Sequence, residues 1–357
     1  MVQGFYYQMK TLNKAAIFGD LHVGAKNGSI QYNEDCLEYI TWFCNNVKND
    51  STIDHIVDVG DFFDDRAKLS TFTLDYGYRI SKMIDDLNLP FYRLLGNHSL
   101  GQRNNRDVHN MISFSTMKNT TLIEEITIMK HFGKKGAVLA PYLFKDEYPE
   151  MLKYVEYPYA YMHAEFNGFV ITGDSILCEN GVDHSTYKQF KRIITGHFHR
   201  RDEKDNVTYI GNTFPTNFAD ANDSKRGMAT LEYDTNKITF IDWSECPTYI
   251  RTKLSKILES PKDILKSKAT VQCLVDIDLT HEESIELKSN LIKKYNLREL
   301  TLDEGFNMNK NLDGDTEVDD ELVLESLDTI IKEKLKTVSV EKIKTDTLIK
   351  LYDDLKL

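Results

Sequence analysis

The 357-residue chain lacks any closely paired cysteines. It has five in all, Cys36, Cys44, Cys178, Cys246 and Cys273, an odd number with no Cys-x-x-Cys spacing. That excludes a secreted disulfide scaffold and makes a reducing compartment the expectation. Also missing is any stretch near the roughly 20 apolar residues that cross a bilayer. The N-terminus shows no apolar core with a small-residue cleavage site, so no secretory signal and no membrane partner are expected. Nor is there an excess of positive charge: 44 Lys and Arg face 56 Asp and Glu, for a net charge of -12. Such a balance argues against a protein that coats nucleic acid in bulk. It leaves room for a nucleic-acid enzyme, because a metal centre supplies local positive charge where phosphate must bind. No internal repeat or low-complexity tract is present. What remains is an ordinary globular composition, 41% hydrophobic and 28% charged, in a chain long enough for one large domain or two unequal ones.

The first hundred residues alternate strand, polar loop and helix. KAAIF (14–18) runs into GDLHVG. Leu37, Ile40, Trp42, Phe43 and Val47 then form one helical stripe over residues 35–47. A second strand over 53–59 runs into GDFFDD, and a helix over about 74–87 follows. A third strand over 91–95 runs into GNHS. This order predicts α/β layering with ligands gathered beyond the strand ends. From about Thr121 to Thr248 short strands dominate, over 137–140, 169–172, 193–195, 207–210, 228–233 and 238–241. The last two flank a DTNK turn. A boundary is expected near Cys246–Pro247. Beyond it, a strand over 271–277 precedes a helix capped by Thr280 with Glu283 three residues on. The acidic stretch NLDGDTEVDD (311–320) reads as a linker. Two helices follow it, over 321–335 and 340–357, the last carrying Ile343, Leu348, Leu351 and Leu355 on one stripe.

Five short pieces carry the chemistry. They are Asp20-Leu-His22, Gly60-Asp61-Phe-Phe-Asp64, Gly96-Asn97-His98, His163, and Gly196-His197-Phe-His199. Each alone has an ordinary reading: a turn after a strand, a surface histidine, a half-buried histidine with a satisfied ring. Gly-His-x-His on an extended segment would place two imidazoles on one side. The joint pattern is different, because the pieces take up five of the ten histidines and four of them directly follow strand-like runs. Carboxylates, imidazoles and a carboxamide in such company suit Mn²⁺, Fe²⁺ or Zn²⁺. A carboxylate such as Asp61 can bridge two ions about 3.5–4 Å apart.

In this order the pieces resemble the calcineurin-like metallophosphoesterases. The finer resemblance is to the SbcD-type double-strand-break repair nucleases, those of T4-like bacteriophages included. It is carried by GDLHVGAK, by HAEFNGF around His163, and by GHFHRRDEKDNVTYIGNTFPTNFADANDSKRG, and it spans roughly residues 11–250. The resemblance implies a four-layer α/β/β/α sandwich over 1–247. It further implies a small α+β capping, DNA-end-recognition domain over 248–312, and over 313–357 a linker and helical segment that binds an ATPase. It implies that Asp20, His22 and His199 hold one divalent ion and Asn97, His163 and His197 a second, with Asp61 bridging. His98 would then serve beside the scissile phosphate, and Asp64 would orient a neighbouring group. The ions would be Mn²⁺ by preference, with Mg, Fe or Zn as alternatives. One position departs from the family: Ser99 stands where Gly-Asn-His is usually followed by Asp, which bears on the orientation of His98.

The same resemblance implies a DNA exonuclease and single-strand endonuclease that works with an SMC-like ATPase, often as a homodimer, in recombination and repair. Its place would be the cytoplasm, that of the bacterial host if the protein is viral. The basic residues Arg103, Arg106, Arg200, Arg201 and Lys204 flank two of the motifs and are the candidates for tracking a phosphate backbone. Two other classes stay open. One is a metallophosphatase acting on nucleotides or phosphoproteins. The other is a non-catalytic DNA-binding scaffold with a degenerate metal site.

Overall fold

A computed structural model describes residues 12–129, 136–154, 156–172 and 176–303. The chain divides into two compact units, Met1–Asn307 and Met308–Leu357, and all described residues belong to the first. The expected linker over 311–320 and the helices over 321–335 and 340–357 lie outside the described residues.

Two six-stranded mixed sheets pack face to face. The first runs in the order Lys237–Asp242, Gly227–Glu232, Lys14–Phe18, His55–Asp58, Phe91–Leu94, Thr120–Ile123. Its last four strands are parallel, and the first two form an antiparallel hairpin at one edge. The second runs Asp202–Lys204, Val207–Tyr209, Arg192–Gly196, Tyr159–His163, Ala137–Leu139, Thr127–Ile128. It has a parallel centre and antiparallel edges.

The central strands are apolar on both faces because both are covered, as parallel strands require. In the first strand Ala15 and Ile17 face the second sheet, where they join Val57, Leu94, Tyr161 and Ile194 in one core. Ala16 and Phe18 point the other way, into a core shared with helices Ile30–Asn49 and Thr71–Asp85. Each helix starts a little earlier than its apolar stripe, because a serine caps it: Ser29 accepts from the Tyr32 amide and Ser70 from the Thr73 amide. The far face of the second sheet is covered differently. Among the described residues its cover consists of 3₁₀ segments, Tyr148–Tyr154 and His184–Tyr187, and loops around a third core.

After residue 248 the chain builds a smaller parallel sheet, Tyr249–Lys253, Thr270–Leu274 and Glu299–Asp303, with its own core of Leu254, Ile257, Val271, Leu291 and Leu300. Helix His281–Tyr295 opens with a capping box between Thr280 and Glu283. The outer strand, ELTLD, alternates with charge and was not foreseen. This sheet is tied to the main body by a two-pronged ion pair between Arg298 and the buried Asp35 of the first long helix. No helix among the described residues is long and apolar enough to cross a membrane.

Candidate metal centre

The motif residues lie where parallel strands of both sheets end. Asp20 follows the Lys14–Phe18 strand, Asp61 follows His55–Asp58, and Asn97 follows Phe91–Leu94. From the other sheet, His163 closes Tyr159–His163 and His197 follows Arg192–Gly196. The loops are laced together by their backbones. The Asp20 amide donates to Gly60 O (2.8 Å), the His22 amide to Asp61 O (3.0 Å) and the Val23 amide to Phe62 O (2.7 Å). Four motif residues adopt left-handed backbone conformations: Asp20 (φ 52°), His22 (51°), Asp61 (54°) and His197 (95°). Strain of this kind persists only where the surroundings impose it, and it collects at functional sites. Gly96 allows the closest approach, since a Cβ there would lie 2.1 Å from Asp61 Oδ1.

Three groups of potential ligand atoms result: Asp20, His22 and His199; Asp61, His163 and His197; and His22, Asp64 and His98. Asn97 joins the second, its Oδ1 lying 2.9 Å from both His163 Nε2 and His197 Nδ1. The extended reading of Gly-His-x-His does not hold. With His197 left-handed, the two imidazoles part, His197 to one group and His199 to the other.

The chemistry of these atoms fits a divalent cation. Three imidazoles set one ring nitrogen against an acceptor outside the two main groups. His163 Nδ1 lies 2.8 Å from Val59 O, His22 Nδ1 3.1 Å from Asp64 Oδ1, and His197 Nε2 3.2 Å from Glu165 Oε1. Each remaining ring nitrogen is then turned inward, where it can offer a lone pair when it carries no proton. There it meets other acceptors: His22 Nε2 faces His199 Nε2 at 3.2 Å, and His163 Nε2 faces Asp61 Oδ2 at 3.2 Å. The buried Asp20 Oδ2 has no hydrogen-bond partner, while its Oδ1 accepts from the His197 amide at 3.0 Å. The Asn97 amide makes the same point. Turned over, it would donate to His163, Asp61 and His197 and accept from Arg66 Nη2 at 3.0 Å. The orientation that satisfies a protein without a cation is the reverse of the one that presents an oxygen to it.

Titration follows from this crowding. Burial would lower the His163 imidazole, but the Asp61 carboxylate beside it pushes it up to about 9. Burial would raise Asp61, yet the charge and hydrogen bond of His163, with His22 and His98, hold it well below the usual carboxylate range. Burial and then the neighbouring His22 lower His199, and burial raises Asp20.

His98 is held apart from both main groups. Its Nδ1 lies 2.5 Å from the Asp64 carbonyl, and its amide donates to Asp61 Oδ1 at 2.8 Å. Its Nε2 is left toward the cluster, where its ring stands edge-on to His22. Ser99 closes the turn instead of contacting the ring: its buried hydroxyl accepts from the Gly96 amide at 3.2 Å. Asp64 serves twice, with its carboxylate on His22 and its carbonyl on His98.

The basic residues divide. Arg103 and Lys204 are exposed. Arg106 forms a two-pronged ion pair with Glu147 and donates to Tyr142 O (2.8 Å). Arg201 pairs with Asp242 at 2.7 Å and stacks over Phe240. Arg200 lines a shallow pocket with Arg201 and Lys225. Sequence reasoning missed Glu165 and Arg66, which border the second group. Glu165 stands inside the HAEFNGF stretch that carried the resemblance, but its approach to His197 is visible only in three dimensions.

A sandwich of two mixed sheets with metal-binding loops at the strand ends defines a class of phosphoesterases, and the family model for calcineurin-like phosphoesterases matches residues 14–201. The chain belongs to that family. It is similar to exonuclease subunit 1 of Enterobacteria phage T4, with 26% identity over 251 residues, 65% of this chain and 67% of that protein. Similar solved structures include a dimetal phosphatase from Danio rerio, at 9% identity and TM-score 0.36, covering 62% of this chain and 93% of that one. Another is an archaeal phosphodiesterase, at 13% identity and TM-score 0.36, covering 64% and 99%.

Proposed function

We propose that the protein is a Mn²⁺-dependent DNA exonuclease and single-strand endonuclease, the nuclease subunit of a recombination and double-strand-break repair assembly. The observation that carries DNA as substrate is the 26% identity to a phage exonuclease subunit. In this reading Asp20, His22 and His199 hold one ion, Asn97, His163 and His197 the other, and Asp61 bridges. Bound divalent ions supply an acidified water and positive charge for the phosphoryl oxygens. The chain's own part is to place its ligands and to set His98 Nε2 where the leaving oxygen departs, to protonate it or stabilise its charge. Asp64 orients both His22 and His98. Arg103, Arg200 and Lys204 contact the phosphate backbone, while Arg106 and Arg201 shape the loops that carry those contacts.

The partners in this reading are DNA, an SMC-like ATPase engaged by residues 313–357, and a second copy of the chain, in the cytoplasm of a bacterial host. Residues 248–312 cap the site and read DNA ends. Exposed Leu74 and Tyr78, four residues apart on one face of helix Thr71–Asp85, support an association surface near the early motifs.

The test is cleavage of end-labelled duplex and single-stranded DNA with Mn²⁺, beside a chromogenic phosphomonoester. Degradation of DNA that stops on chelation is expected. Efficient monoester hydrolysis with intact DNA would replace the nuclease by a phosphatase. Failure to bind Mn²⁺ and to cleave either substrate would leave a scaffold.

A further inference from the structure

Two strands that end at the metal centre each carry a charge inside an apolar run: Asp58 in HIVDV and Arg93 in FYRLL. The parallel register places them directly side by side. Arg93 is fully buried and Asp58 nearly so. Arg93 Nε donates to Asp58 Oδ2 at 3.0 Å, and its Nη1 donates to Ser81 Oγ on the neighbouring helix at 2.9 Å. Its guanidinium carbon lies 3.9 Å from the centre of the Phe62 ring and 4.8 Å from that of Phe91.

A buried ion pair is a poor source of stability, since desolvation offsets most of the attraction and apolar residues of like volume often do as well. Its connections suggest a different role. The second oxygen of Asp58, Oδ1, accepts from the Gly60 amide at 3.1 Å. Gly60 has φ 109°, and a Cβ on it would come 2.6 Å from His163 Nδ1. The next residue is Asp61, also left-handed, and the one after it is Phe62, on which Arg93 rests. The pair therefore grips the chain on both sides of Asp61. The same turn passes the constraint on, because Gly60 O and Asp61 O accept from the amides of Asp20 and His22.

We propose that Arg93 and Asp58 are positioning residues that hold the Gly60–Asp61 turn, and through it Asp61, Asp20 and His22, in ligating geometry. The proposal rests on the metal-centre reading above. Partners one layer behind metal ligands commonly change affinity 10- to 100-fold when removed.

The experiment compares two double variants of the full chain. Asp58→Leu/Arg93→Met replaces the pair by apolar side chains of similar shape and removes the acceptor for Gly60. Asp58→Asn/Arg93→Met also removes both charges but keeps that acceptor. Mn²⁺ affinity and stoichiometry are measured by calorimetry, amide exchange at Gly60 by NMR, and kcat and KM on a chromogenic phosphodiester. The leucine variant should bind Mn²⁺ at least about tenfold more weakly and lose protection at Gly60. Its kcat should fall with KM little changed, while the asparagine variant, which keeps the acceptor for Gly60 but loses the Arg93 fork, shows only a severalfold loss of Mn²⁺ affinity, clearly smaller than that of the leucine variant. Equal Mn²⁺ affinity in wild type and leucine variant overturns the proposal, as does an equal loss in both variants. Should the leucine variant not fold, Arg93→Lys decides. It keeps the charge but not the fork that spans Asp58 and Ser81, so severalfold weaker Mn²⁺ binding is expected and wild-type affinity refutes the proposal. Wild-type protein that binds no Mn²⁺ would instead sink the metal-centre reading itself.

Discussion

At the scale of single residues, the candidate centre is defined by what each proposed ligand does with its second polar atom. His163, His22 and His197 set one nitrogen toward Val59 O, Asp64 and Glu165, and so aim the other inward. Asp20 and Asp61 each give one oxygen to a backbone amide, of His197 and His98 respectively. Two substitutions separate the roles. His98→Ala should lower the cleavage rate by about 10²–10⁴-fold with both ions still bound, checked by kinetics together with metal analysis. A near wild-type rate would remove His98 from the reaction. Asp61→Asn should reduce occupancy at both positions, and two ions held at full affinity would show that it does not bridge. A pH effect belongs here too. His163 sits near 9 without metal, so its proton must leave when an ion binds. Affinity for Mn²⁺ should therefore climb by roughly tenfold per pH unit below that value for one displaced proton, and a flat titration between pH 6.5 and 8.5 would argue against His163 as a ligand.

Among elements, the buried parallel strands position the centre, and the charged residues inside them, Asp58 and Arg93, pair with each other. His55, in the His55–Asp58 strand, is buried with Nδ1 2.7 Å from Asp54 and Nε2 2.7 Å from the Tyr233 hydroxyl. Burial lowers its pKa from the ordinary 6.5, against the pull of Asp54. The unfolded chain then binds this proton more readily than the folded one. The stabilisation is complete above about 6.5 and is lost as pH falls from there through the lower folded value. Melting temperature should accordingly drop as pH is lowered from 7 toward 5, and His55→Gln should flatten that slope. An unchanged slope would place the acid sensitivity elsewhere. The strands and helices themselves were mostly legible, because apolar spacing reports burial directly. KAAIF spans the observed strand Lys14–Phe18. The helix starts at Ile30 and Thr71 were read late, since their caps, Ser29 and Ser70, precede the apolar stripes. Tyr159–His163, Tyr249–Lys253 and Glu299–Asp303 were missed, the first because its tyrosines do not read as an apolar run, the other two because polar and charged residues interrupt them at sheet edges.

For the whole molecule, the decisive event is the meeting of two sheets, which brings His163, His197 and His199 from the second sheet against Asp20, His22 and Asp61 from the first. The small sheet of residues 249–303 is held to the same body by the Arg298–Asp35 and Lys268–Glu38 ion pairs and by Asn222 and Phe218, which meet Tyr249 and Arg251. Arg298→Ala would leave the Asp35 carboxylate buried without its counter-charge. A cost of about 2 kcal/mol is expected, along with faster amide exchange across residues 249–303 and Mn²⁺ binding unchanged. Uniform exchange rates would mean that other contacts hold this sheet in place.

The sequence by itself determined the layered class, the strands that lead into Asp20, Asp61, Asn97 and His197, and most of the candidate metal-binding residue types, because periodic burial and short polar motifs after apolar runs are local signals. It also carried the metallophosphoesterase family, through motifs that survive divergence elsewhere. Only the tertiary structure shows how His197 and His199 part, through the left-handed backbone at His197. It alone brought Glu165 and Arg66 to the rim, turned Arg106 and Arg201 toward the carboxylates of Glu147 and Asp242, and set Asp58 beside Arg93 beneath the Asp61 turn. Those outcomes depend on distances between segments far apart in the chain, and no local pattern of residues encodes such distances.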